Sequence, residues 1–272
     1  MLKNKRVKIG IVGCGAIGSG VASYIDKKLI LSAFVDALAD KDIKAARDLQ
    51  KKLRSAPKIY DTVALVKKVD LVIEAASGPA ASFLLKKVIA YRKDLVIVSV
   101  GALIDKAFLL KEAAKRKINI YIPSGAILGI DGLGALSMGN IKKISLTTSK
   151  PPRGLIGADY LKKKRIDLTN LKKEKVVFTG SVKEAIKHFP KNINVAVAIS
   201  LASAFKKVEV CIKADPRIKR NVHHIVVDSE EAKLSVRVEN VPSKKNPKTS
   251  ALAILSTQQL LKKIFSPFKI GS

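Results

Sequence analysis

The residues of this 272-residue chain whose types and spacing could do chemistry are three histidines and one cluster of glycines. Imidazole is the side chain whose ordinary pKa lies closest to neutrality, so each histidine is a candidate proton acceptor. His188 precedes Phe189-Pro190 at a predicted helix end, where a cation complements the helix dipole, and this favours a structural role. His223 and His224 are adjacent at the entrance to the strand Ile225-Val226-Val227. Strand alternation lets only one of them face a cleft, and position alone does not choose between them. Cys14 and Cys211 stand in no metal-ligand spacing, so neither a disulfide framework nor a metal site is expected.

The glycine cluster is Gly13-Cys14-Gly15-Ala16-Ile17-Gly18. An apolar run (Val7, Ile9, Ile11, Val12) leads into it and an amphipathic helix (Val21, Ala22, Tyr24, Ile25) leads out, the context that a dinucleotide-binding turn requires. Gly13 permits the tight turn, Gly15 lets backbone approach a pyrophosphate, and Gly18 lets the helix pack on the strand. Ala16 and Ile17 open that helix, where unpaired N–H groups face phosphate. A second strand, Leu31 to Val35, ends in Asp36, placed to accept hydrogen bonds from the ribose hydroxyls. No arginine follows Asp36 directly, which favours NAD over NADP.

These residues need a scaffold, and the chain alternates strands and helices to supply one. Helices are expected at 41–53, 79–90 and 109–117, and buried strands at 71–77 and 95–101. This alternation predicts a parallel Rossmann-type sheet with its ligand at the carboxyl ends of the strands. Ala75, Ser77, Ser99 and Gly101 then line the cofactor cleft. The character changes at Pro123-Ser124-Gly125-Ala126. From there strands at 144–148, 176–178, 208–213, 225–228 and 234–239 predict a second, α+β domain with a mixed, largely antiparallel sheet. Two helices interrupt it, the first opened by a capping box of Ser181 and Glu184. The fold class is thus α/β: residues 1–123, completed by 241–272, form a dinucleotide-binding domain, and 124–240 form a substrate and dimerisation domain.

The formal net charge is +30, which would attract nucleic acid if it were concentrated on one face. Lysine pairs are instead spread through nearly every segment without interleaved aromatics, so a solvated surface is expected and no specific nucleic-acid partner. The uncharged stretch Ile9 to Ile25 is rich in glycine and reads as the nucleotide turn, not a membrane span. A cytoplasmic protein is expected, and a second sheet with one face needing cover suggests a homodimer.

Further motifs follow the turn in order: Ser99-Val100-Gly101-Ala102-Leu103, Pro123-Ser124-Gly125-Ala126 with Asp131-Gly132, and Lys150-Pro151-Pro152. Then come Phe189-Pro190-Lys191-Asn192-Ile193-Asn194-Val195-Ala196, Asn221-Val222-His223-His224-Ile225 and Asn246-Pro247-Lys248-Thr249-Ser250. With these, nearly the whole chain resembles the L-aspartate dehydrogenases, a family of NAD(P)-dependent amino-acid dehydrogenases. The resemblance implies that His223 is catalytic and that Ala126 and Asn194 contact the nicotinamide end of the cofactor, with Asn192 as the alternative to Asn194. It implies NAD as cofactor, with NADP as the family's second option, and L-aspartate as substrate. It also implies oxidation to iminoaspartate and then oxaloacetate and ammonia, or hand-over of the imine to pyridine-nucleotide biosynthesis. The hairpin Asp228-Ser229-Glu230-Glu231 departs from the family by lacking a glycine.

The two substrate carboxylates need fixed donors, and Asn246, Lys248, Thr249 and Ser250 are expected to supply some of them. Two other readings share the glycine turn: a Rossmann oxidoreductase acting on a related dicarboxylic substrate, and a non-catalytic nucleotide- or polyanion-binding protein.

Overall fold

The computed structural model describes residues 6–189, 194–247 and 249–271. It divides into two units, residues 1–123 with 253–270, and residues 124–252 with 271–272. The second unit continues to Leu252, past the return to the first unit that the sequence predicts at 241.

The first unit is a parallel sheet of β1 (Val7–Val12), β2 (Ala33–Ala39), β3 (Lys58–Ile59), β4 (Leu71–Glu74), β5 (Asp94–Ile97) and β6 (Ile120–Tyr121). The strands lie in the order β3-β2-β1-β4-β5-β6, the doubly wound order in which ligands bind where the winding reverses, between β1 and β4. Helices α1 (Ala16–Lys28), α2 (Ile43–Gln50), α3 (Thr62–Lys68), α4 (Gly78–Tyr91) and α5 (Ala107–Lys115) connect them. Strand residues Ile9, Ile11, Val35, Ile73 and Val96 are buried together with Val21, Ala22 and Ile25 of α1, an apolar core between sheet and helix.

Leu31 is exposed and lies in a turn, and β2 starts at Ala33 and continues through Ala37, Leu38 and Ala39. Asp36 therefore does not end the strand. The register passes from Ile9 opposite Val35 to Gly10 opposite Ala37, so Asp36 is the extra residue of a β-bulge. The residue that follows the strand is Asp40.

In the second unit α6 (Ile130–Leu136) precedes β7 (Ile141–Lys150), α7 (Asp159–Lys163) precedes β8 (Lys175–Ser181), and α8 (Val182–His188) and α9 (Asn194–Ala202) precede β9 (Val208–Ala214). Then come β10 (Val222–Ser229) and β11 (Lys233–Glu239). The sheet order is β11-β10-β7-β9-β8; β7 and β9 run parallel and the other pairs antiparallel. The capping box forms as expected, with Ser181 N donating to Glu184 Oε2 at 2.7 Å and Glu184 N to Ser181 Oγ at 3.3 Å. At the β10–β11 hairpin Ser229 closes the turn: its Oγ donates to Ala232 O and accepts from Ala232 N.

The last helix, α10 (Ala251–Phe265), buries Leu261 in the core of the first unit, and Gln258 Nε2 donates to Gly20 O at 3.0 Å. Gly20 leaves the space that Ile254 fills, because a Cβ there would stand 2.6 Å from the Ile254 side chain.

Candidate active site

At the carboxyl end of β1 the backbone makes a cradle. Gly13 has φ +99°, and a Cβ on it would stand 2.5 Å from the Ala75 carbonyl, so both the turn and its packing exclude other residues. Gly15 is the N-cap of α1 and has nothing within 4 Å of where a Cβ would project, so this part of the backbone is open to a ligand. No side chain caps α1, and its first turn holds no acidic residue. The N–H groups at Ala16 and Ile17 thus open an uncapped helix start, an arrangement that fits a pyrophosphate. Gly18 packs directly against Gly13 O, where any Cβ would collide.

Asp40 closes the cradle on one side. Its Oδ2 accepts from Cys14 N at 2.6 Å and its Oδ1 from Asp42 N at 2.9 Å. Ala39, the last residue of β2, pairs with Val12, the last residue of β1, and so Asp40 stands beside the turn where a ribose-binding acid is needed. Asp36 lies four positions earlier, within the strand. Burial, reinforced by the Asp40 charge, pushes the Cys14 thiol up to about 12, and it stays protonated.

Glu74, fully buried at the end of β4, closes the other side. Its Oε1 accepts from Ala76 N, Ser77 N and Ser99 Oγ, and its Oε2 from Val98 N and Ser99 N, all at 2.8–3.2 Å. One carboxylate thus shapes both the β4 and β5 exits, where Ala75, Ser77 and Ser99 were expected to line the cleft. Its signal was available in the sequence: a glutamate ending the apolar strand Leu71-Val72-Ile73 needs several donors if buried.

In the second unit the register of β10 against β7 places His223 opposite Thr148, and Thr148 Oγ1 and His223 Nδ1 are 3.0 Å apart. His223 is 6% exposed. Burial first, and the charge of Lys150 second, pull its pKa down to about 4, so the imidazole is neutral at neutral pH. His224 takes the opposite face, where its Nε2 meets Ser235 Oγ at 3.0 Å. His188 ends α8 in an aromatic cluster, 4.5 Å from the Tyr160 ring and near Phe178, consistent with a structural role.

Ala126 lies in a turn held by Asn240, whose Nδ2 donates to Ala126 O at 3.0 Å. The Asn240 Oδ1 accepts from Ser250 Oγ at 2.5 Å. Asn194 is exposed at the first position of α9; Asn192, its alternative, lies outside the described residues, as do Pro190, Lys191 and Ile193. Of the loop expected to hold the substrate carboxylates, Lys248 also lies outside the described residues. Thr249 N donates to Asn246 O, and Ser250 Oγ additionally accepts from Leu252 N at the start of α10, so Ser250 serves the fold. Among the described residues no cluster of three or more histidine, cysteine or acidic side chains could hold a metal ion. No described helix is long and apolar enough to cross a membrane.

Residues 131–264 match the family model described as aspartate dehydrogenase, C-terminal, and residues 13–123 match the one described as homoserine dehydrogenase, NAD binding domain. Curated L-aspartate dehydrogenases from Methanosarcina acetivorans and Methanosarcina barkeri are 44% and 43% identical to the chain, over 98% of it and 100% of each relative. The crystal structure of aspartate dehydrogenase from Thermotoga maritima superposes with a TM-score of 0.76 at 28% identity, covering 98% of this chain and 100% of that one. A myo-inositol dehydrogenase from Lactobacillus casei, 13% identical with a TM-score of 0.61, shares the fold alone. With a glycine cradle suited to a dinucleotide in one unit and a buried, neutral histidine in the other, the chain belongs to the aspartate dehydrogenase family.

Proposed function

We propose that this protein oxidises L-aspartate with NAD, giving oxaloacetate, ammonia and NADH, with NADP as a second acceptor. The observation that carries the reading is His223, neutral and buried beside Thr148 in a chain whose relatives are L-aspartate dehydrogenases. Bound NAD supplies the hydride acceptor.

Gly13, Gly15 and Gly18 with the Ala16 and Ile17 N–H groups hold its pyrophosphate, and Asp40, in place of Asp36, takes the ribose hydroxyls. Ala126 and Asn194 are assigned to the nicotinamide end on the family resemblance. In the base-competent tautomer His223 Nδ1–H donates to Thr148 Oγ1, and the Nε2 lone pair receives a proton from the substrate ammonium. The α-carbon then loses its hydride, leaving iminoaspartate. The imidazolium gives its first proton to solvent; water then adds to the iminium carbon and passes a proton to the freed imidazole, which returns it to the nitrogen as ammonia departs.

The proposal extends to a cytoplasmic homodimer. The half-buried face of the second sheet, with Thr147, Cys211, His224 and Val226, supports a covering partner. Light scattering on the purified protein reads the assembly.

The test of the reaction is absorbance at 340 nm with NAD and a panel of amino and hydroxy acids. NADH formation with L-aspartate well above all others is expected. Turnover of a different dicarboxylate, or nucleotide binding without turnover, overturns the reading.

A further inference from the structure

Lysines crowd the surface of this protein, yet Lys150 is 9% exposed and among the described lysines is the buried one. It is the last residue of β7, stopped by Pro151 and Pro152, which have no N–H to continue the ladder. Along β7 the residues Ile144, Leu146, Thr148 and Lys150 share one buried face, and β10 lays His223, Ile225 and Val227 beside it. Most of this face is apolar, continued by Val210 and Ile212 of β9. Its polar end is Thr148, Lys150 and His223. An ammonium in such a place is costly to bury, and its field reaches the imidazole.

We propose that Lys150 binds a carboxylate of the dicarboxylate substrate, at the polar end of the sheet face that also carries Thr148 and His223. The proposal deepens the reading of His223 as base and rests on it. Burial pulls the Lys150 amine down to about 8, so it is an ammonium at neutral pH. In the free enzyme that charge adds to burial in keeping His223 unprotonated. A substrate carboxylate beside Lys150 offsets the charge, and the imidazole becomes a stronger base when the substrate is in place. Several charged groups on or beside the neighbouring strands form ion pairs of their own. Lys213 on β9 pairs with Glu174 at 3.2 Å, Asp215 after β9 pairs with Arg217 at 3.0 Å, and Arg237 on β11 pairs with Glu239 at 2.8 Å.

The experiment uses succinate, a dicarboxylate without an amine, titrated calorimetrically into NAD-saturated protein, together with the NMR titration of the His223 imidazole. Replacing Lys150 with methionine is expected to weaken succinate by about 10- to 100-fold, the effect of losing a charge-assisted hydrogen bond. The aspartate KM should rise in parallel, and the His223 pKa should move up from about 4. In the unaltered protein succinate should move the His223 pKa in the same upward direction. Lys150→Arg, which keeps the charge, should hold the His223 pKa low, and it decides the case if Lys150→Met does not fold. His223→Ala separates the two readings through turnover, which should fall if His223 is the base, while the effect of Lys150→Met on succinate affinity is read without turnover. Unchanged succinate affinity and an unmoved His223 pKa in a folded Lys150→Met protein overturn the proposal. Full turnover by His223→Ala would overturn the reading beneath it.

Discussion

The glycine turn after β1 and the Thr148–Lys150–His223 corner of the second sheet are built on opposite principles. The turn is made of backbone, and it works because side chains are left out: Gly13 is packed against Ala75, and Gly15 opens onto space. The corner is made of side chains that the backbone only brings into register, Thr148 and His223 being 75 positions apart in sequence. The first kind of site fails when anything is added. The second fails when a particular functional group is taken away, while fold and nucleotide binding survive.

The largest effect should come from adding a side chain to the turn. Gly13→Val places a β-branched residue at positive φ, a strain of about 1–3 kcal/mol, before its collision with the Ala75 carbonyl is counted. NAD titration followed by calorimetry should show no saturation. Normal affinity in this variant would break the account of the cradle.

A smaller effect, on cofactor recognition, separates Asp40 from Asp36. Asp40→Asn keeps an acceptor for Cys14 N yet removes the charge proposed to face the ribose, and the NAD KM should rise about tenfold. Asp36→Asn should leave the NAD KM unchanged, and the reverse pattern would return the ribose to Asp36.

The smallest effect belongs to Thr148. Thr148→Val removes the partner of His223 Nδ1 and should lower kcat by roughly fivefold, the equivalent of one neutral hydrogen bond, without changing NAD affinity. Isotope-edited NMR of the imidazole should report the loss of the fixed tautomer. An unaltered tautomer would detach Thr148 from the base.

The same contrast explains what could be read from the sequence. A contiguous G-x-G-x-x-G between an apolar strand and a helix announces itself, because the chemistry of a tight turn is local. Asp36 reads as the end of β2 because it follows an apolar run, but it sits on a bulge, and three more apolar residues carry β2 on to Asp40. Glu74 stood in plain view in its strand, but the five donors that satisfy it come from two different loops. Alternation required that one of His223 and His224 face inward. The choice between them depended on the register with β7, and residue order does not encode the direction or neighbours of a strand. The parallel pairing of β7 with β9 was hidden for that reason, and with it the position of Lys150 on the face that carries His223.

The central claim is that nucleotide binding and proton transfer rest on separate groups, the glycine turn and His223. The direct test is His223→Ala, with kcat measured on L-aspartate and NAD affinity measured on the same preparation. A fall in kcat of about 10² to 10⁴ with NAD affinity unchanged is the predicted result. Undiminished turnover, or a loss of NAD affinity that matches the loss of rate, would contradict it.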